Sequence, residues 1–241
     1  RRLIELPSRL FRDPLAALLE KEFRSLLRMP RFRVIFGMAC VFGVLIFVPM
    51  TLRREGTGFI ASNFLAVVNV YGLLLLGDVL LWNVFGFDRR AAALYFVTPV
   101  TFGTVLSAKN VAAVTFMLVE TMAVWILAAA LRVSVTPLSL VNAFAASAVV
   151  AIFFLSIGNL SSVAIPKPMD PTQTFRKQGS GRMQLRLMAA TVGMFLLLGF
   201  AFAARWAVQA NWALLAVLGF EFGIGVIVYR LATESAVERG T

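Results

Sequence analysis

Histidine is absent from the 241 residues, and cysteine occurs once, at Cys40. The first absence removes imidazole catalysis and most transition-metal sites. The second excludes an intramolecular disulfide and any cysteine metal cluster. Acidic side chains are scarce, 12 against 23 lysines and arginines. A phosphate-cradling G-x-x-x-x-G-K-[ST] loop is missing as well, since no lysine follows a glycine in that spacing. The "GSG" at Gly179 to Gly181 lacks both the lysine and a preceding strand, and reads as a flexible loop. ATP hydrolysis by that route is excluded for this chain. No cleavable signal peptide opens the sequence. Residue 1 is arginine, so the natural chain is expected to extend upstream.

What is abundant is hydrocarbon. The chain is 60% hydrophobic with a mean hydropathy of +0.85, far beyond a soluble domain. A spanning helix needs roughly 20 apolar residues. Six runs qualify: Val34 to Leu52, Phe59 to Phe87, Val111 to Leu131, Leu138 to Ile165, Leu187 to Ala204 and Trp212 to Tyr229. Helices are required, because a bilayer offers backbone groups no other partner and ten-residue barrel alternation is absent. The expected fold is an all-α integral membrane protein: a segment over 1–33, a six-helix domain over 34–229 and a tail over 230–241.

The net charge of +11 would suit nucleic acid, but its placement argues for topology. Arg1, Arg2, Arg9, Arg12, Lys21, Arg24, Arg28, Arg31 and Arg33 precede the first span. Arg89, Arg90 and Lys109 follow the second. Lys167, Arg176, Lys177, Arg182 and Arg186 follow the fourth, and Arg230 and Arg239 lie in the tail. The opposite connections hold only Arg53, Arg54, Arg132 and Arg205. By the positive-inside rule both termini are expected in the cytoplasm, with no nucleic-acid partner.

Asp13-Pro14 is expected to open a helix, as cap and first helical residue. Leu15, Leu18, Leu19, Phe23, Leu26 and Leu27 recur at helical spacing while Arg12, Lys21, Arg24, Arg28 and Arg31 point elsewhere. Such a helix lies in the membrane surface, its stripe in the acyl boundary and its cations among headgroups. It serves as an anchor or as a mechanical element, with Pro30 turning the chain into the first span.

Between spans two and three lies "FDRRAAALYFVTPVTFGTVLSAKN", Phe87 to Asn110. Its centre is too short and interrupted to cross a bilayer, yet Leu94, Tyr95, Phe96 and Val97 would be wasteful facing water. Two short helices presenting a knuckle to a soluble partner would explain it. A re-entrant loop packed on its own bundle would explain it equally.

Three stretches resemble the ABC-2-type exporter permeases, six-helix transmembrane domains of ATP-binding-cassette transporters. They are "LEKEFRSLLRMPRFR", "NVFGFDRRAAALYFVTPVTFGTVLSAKN" and "IGNLSSVAIPKPMD". The resemblance runs from about Leu19 to Tyr229. It implies that residues 88–110 form a coupling loop contacting the ATPase, with Asp88, Arg89, Arg90, Leu94, Tyr95, Phe96, Pro99, Lys109 and Asn110 in it. It places Glu20, Lys21, Phe23 and Arg24 on the interfacial helix, and Gly158, Asn159 and Ser162 in the motif ending span four. The implied partners are two copies of an ABC ATPase, carrying ATP and Mg, and a second permease domain, from a homodimer or a longer chain. The implied location is a bacterial inner membrane, and no cofactor is expected on this chain. The connection from Arg205 to Asn211 is short, leaving little room for the extracellular re-entrant helices of some relatives.

Ionisable groups inside spans are functional candidates by default. Asp78, Glu120 and Glu221 are such groups, and Asn159 joins them as a candidate lining the substrate path. Glu120 is also placed to bond Asn63, Asn69, Ser147 or Asn159. Glu221, beside Gly219, Gly223 and Gly225, suits a helix-packing seam. Two other classes of function remain. One is a non-catalytic membrane scaffold or assembly factor. The other is an intramembrane lipid-modifying enzyme, weakened by the lack of any nucleophile–base constellation.

Overall fold

A computed structural model describes residues 7–52, 58–82, 84–85, 88, 97, 99–164 and 181–240. Among them all regular structure is helical: α1 (Pro7–Leu10), α2 (Leu15–Arg28), α3 (Pro30–Leu52), α4 (Phe59–Ser62), α5 (Phe64–Leu80), α6 (Phe102–Ala130), α7 (Pro137–Ala164), α8 (Gly181–Val208) and α9 (Asn211–Gly240). Five of these, α3 and α6 to α9, contain stretches long and apolar enough to cross a membrane. That is the pattern of a multi-pass membrane protein.

The second expected span is where sequence and structure part. In place of one run from Phe59 to Phe87, the chain breaks at Asn63 and α5 has 17 residues, about 25 Å of helix against a hydrocarbon core of roughly 30 Å. Asn63 donates to the Phe59 carbonyl at 2.9 Å and accepts from Arg205 on α8 at 2.9 Å, which fixes the break. At the other end Leu81 N and Trp82 N both donate to the Gly77 carbonyl, closing the helix.

Helix α7 receives the chain leaving α5. Ser161 Oγ donates to the Trp82 carbonyl at 2.9 Å, and Ser162 Oγ accepts from Val84 N at 2.9 Å. Backbone groups freed at a helix end must find partners where water is excluded, and these two serines supply them. Gly158 permits the approach: a Cβ there would collide with the Leu81 carbonyl.

Helix α2 begins at Leu15, and Asp13 does not cap it; Pro14 holds the cap position without a side-chain bond. The first free amide is satisfied by the chain itself, with Ala16 N donating to Arg12 O. Pro30 both ends α2, by holding Met29 extended ahead of it, and opens α3. The apolar stripe of α2 also differs from expectation. Leu19, Ala16 and Leu26 are buried within the protein, because Ala108 and Ala112, one turn apart on α6, let α2 settle close. Phe116 of α6 is the hub above them, with Phe23 of α2 at 5.7 Å and Phe32 and Phe36 of α3 at 4.8 and 5.9 Å, all edge-on. Leu27, Arg24 and Arg28 face outward.

Within the bundle α5 packs on α3, α6 and α7, while α9 packs along α7 and α8. Helices α6 and α7, consecutive in the chain, barely touch, and a groove of about 220 Å³ separates them. Arg132 and Gln209, both at positive φ, end α6 and α8. Asn142 and Asn211 exchange hydrogen bonds of 2.9 and 3.1 Å beside these turns. The expected tail continues α9, whose Ala236 and Val237 pack with Phe85, Phe102, Val105 and Leu106 in a second small core.

Gly158→Ala should lower the midpoint of thermal unfolding in detergent, because forcing an atom into fixed backbone costs ~1–3 kcal/mol. Gly219, with nothing within 4 Å of its Cβ direction, is the control: Gly219→Ala should be neutral or slightly stabilising. An equal loss in both variants would remove the role given to the α5–α7 approach.

Candidate functional site

At the end of the bundle that carries α2, four charged side chains meet. Lys109 on α6 places its Nζ 2.6 Å from Asp88 Oδ2 and 3.0 Å from Glu22 Oε1 on α2. Lys21 reaches the same two acids, at 2.8 Å from Asp88 Oδ1 and 3.1 Å from Glu22 Oε1. Lys109 is almost wholly buried and Lys21 is 42% exposed, so the inner lysine carries the greater electrostatic stake. The Phe85 ring lies 5.3 Å from the Lys109 ammonium, a favourable cation–π distance. A cavity of about 20 Å³ between Ser25, Met29, Val84 and these charges is the size of one water.

Burial alone would push the Asp88 carboxyl up, but the charges and hydrogen bonds of Lys109 and Lys21 outweigh it and hold it below its ordinary 3.8. A carboxylate depressed by folding contributes stability above its unfolded pKa and loses it as pH falls through the folded value. Ser25 brings a hydroxyl to the cavity, and among the described residues no base is hydrogen-bonded to it. Two cations and two anions thus tie together a peripheral helix, a connecting segment and a long apolar helix.

The other expected residues fall into separate places. Asn110, next to Lys109, donates to Tyr229 Oη of α9 at 2.9 Å. Asn159 donates to Thr233 Oγ1 of α9 at 3.1 Å. Glu20 pairs with Arg24 at 3.2 Å on the outer face of α2, away from the cluster. Pro99 is exposed, just before Thr101, which caps α6 through Thr104 N at 3.4 Å. Residues 102–110, expected within the loop, are the first turns of α6. Arg89, Arg90, Leu94, Tyr95, Phe96 and the side chain of Asp78 lie outside the described residues.

Glu120 takes none of the four partners anticipated for it. Asn63 serves Arg205 and Asn159 serves Thr233, while Asn69 and Ser147 are buried without hydrogen bonds. Its one bond comes from Thr121 Oγ1 at 3.5 Å. Glu221 is buried with neither oxygen bonded. Of its three neighbouring glycines only Gly225 makes a close approach, against Ile152 of α7.

Glu22 is the residue the sequence reading passed over. Its signal was available: Leu15, Leu19, Glu22 and Leu26 share one helical stripe, so an acid occupies an apolar slot and demands a buried cation.

Removing Lys109 leaves Asp88 and Glu22 with only the partly exposed Lys21 between them, and taking one partner from a buried pair costs ~3–5 kcal/mol. Lys109→Met should therefore lower the unfolding midpoint sharply, while Asp88→Asn, with Glu22 still bound, should cost less. The gap between the parent protein and Asp88→Asn should close as pH is taken below 3.8, the ordinary Asp value. A gap independent of pH would show that the ionised carboxylate is not what stabilises the fold.

No protein-family model, curated protein or solved structure matches the chain.

Proposed function

We propose that the chain is the transmembrane permease component of an ABC exporter, coupled to a separate ATP-hydrolysing subunit. In this reading α4 and α5 together make the second of six spans, and the end bearing α2 faces the cytoplasm of a bacterial cell. Helix α2 lies at the membrane surface, its exposed Arg24, Leu27 and Arg28 toward lipid. The chain is not itself the enzyme. Two ATPase copies dock at residues 88–101 on this permease and on a second one, and their closure rocks the helices to alternate access.

The observation that carries the reading is the Lys109–Asp88–Glu22 cluster. It fastens the segment after α5 to a long apolar helix and to α2. A push on that segment is thereby delivered to α6 and would not be lost in a loose loop. A scaffold has no need to invest a buried charge cluster in this joint, and an intramembrane enzyme would need a reactive constellation that the described residues do not present.

Tyr95 and Phe96 test the docking. Single interface anchors can be worth ~2 kcal/mol or more, a roughly thirtyfold loss of affinity. With both changed to alanine, the permease should still insert and run as a single species in detergent, while the ATPase no longer co-purifies and transport falls. An intact complex with unimpaired transport would defeat the reading.

Orientation is tested separately. In a Cys40→Ser background, a cysteine at Thr136 should react with an impermeant thiol reagent in intact cells. One at Val97 should react only after permeabilisation; the reverse pattern would invert the topology.

A further inference from the structure

Glu120 lies within the long apolar stretch of α6 and is wholly buried. Its Oε2 accepts the Thr121 hydroxyl at 3.5 Å, and its Oε1 has no hydrogen-bond partner. That free oxygen sits where a side chain on Gly72 of α5 would be, so the glycine makes the notch that admits it. The Ala39 carbonyl of α3 borders the same notch, 3.3 Å from the position of that missing Cβ. Asn69 lies one turn before Gly72 and shares its face of α5. It too is wholly buried, with neither amide atom bonded. Two fully buried polar side chains on adjoining helices thus stand without a bond to each other or to anything else beyond Thr121.

An ionised carboxylate in such surroundings is costly unless a positive charge joins it. The ionisable groups on the packed helices do not supply one. Helix α3 offers the Cys40 thiol beside Ala39, its Arg31 and Arg33 standing at its start, about two turns before Ala39; α5 offers Tyr71 and Asp78, α7 carries no ionisable side chain, and α9 offers the acid Glu221 at this depth. Lys109, three turns away on α6, is held by Asp88 and Glu22. The chemistry that fits is a lone positive charge small enough to lie between helices and bound by oxygen.

We propose that Glu120, Asn69 and Thr121 form a buried site for one small monovalent cation, a hydrated proton or Na⁺, between α5 and α6. Glu120 supplies the charge, the Asn69 amide oxygen and the Thr121 hydroxyl supply neutral oxygens, and Gly72 is a positioning residue that leaves room. The site rests on the packing of α3, α5 and α6 and is independent of the ATPase reading.

The test uses the full chain in lipid nanodiscs, with no partner present. Infrared carboxylic-acid and carboxylate bands are followed in an acid titration in choline chloride, then at increasing NaCl. Of the carboxyls that titrate in the parent protein, one should be missing from Glu120→Gln. If Na⁺ is the cation, each tenfold rise in Na⁺ should move the midpoint down by about one pH unit. If the proton is the cation, the midpoint should ignore Na⁺. Thr121→Val and Gly72→Ala should each displace the midpoint, which keeps the test open should Glu120→Gln fail to fold. Superimposable titrations in the parent and all folded variants would overturn the proposal, leaving Glu120 as a fixed packing group.

Discussion

Lys109 brings an ammonium group into a place with room for about one water, and much of one end of the molecule is arranged around that demand. Glu22 answers from α2 and Asp88 from the segment after α5, while the Phe85 ring covers the remaining side. Each partner belongs to a different element, so the pairing fixes where α2 lies and where the chain goes on leaving α5. Buried ion pairs are poor sources of net stability, because desolvation offsets much of their attraction. Their strength is geometric: a misplaced partner leaves a buried charge exposed to the full penalty. The cluster therefore selects one arrangement of three elements more than it strengthens that arrangement.

A second constraint, the satisfaction of backbone polar groups, shapes the middle. Helix α5 stops early, and an early stop is tolerable only where side chains take the released groups. Ser161 and Ser162 do so, and Gly158 brings them within reach. The motif near the end of α7 thus receives a neighbour's chain end. Its Asn159 turns the other way and binds α9, so one short stretch organises both sides of α7.

Much of this was legible in the sequence and some was not, for definable reasons. Hydropathy located the five long helices, with α7 within a residue at each end, because apolar length is a local property. It extended the second span through Leu81 to Phe87, since all of those residues but Asn83 are apolar too; what ends α5 is a pair of serines nearly eighty residues away. The charges at Lys21, Asp88 and Lys109 could be singled out one by one, but their meeting depends on how α2 lies against α6. That packing rests on two alanines and a phenylalanine that carry no sequence signature. Glu22 was readable in principle, as an acid in an apolar stripe. The partners of Glu120 were not, because which buried asparagine faces which helix is decided by rotation about each axis.

Helix α9 joins the two ends of the molecule. Its 30 residues make a rod about 45 Å long. One end is tied to α7 by the reciprocal Asn142–Asn211 amides, and the other is seated among Phe85, Phe102 and Leu106. Gly225, close against Ile152, lies between them. Pivoting such a rod about its Asn211 tip would convert angle into displacement: a tilt of about 5° would move the far tip by about 4 Å. Tyr229 and Thr233, which hold Asn110 and Asn159, lie in the half farther from Asn211, so α6 and α7 would feel any such tilt together.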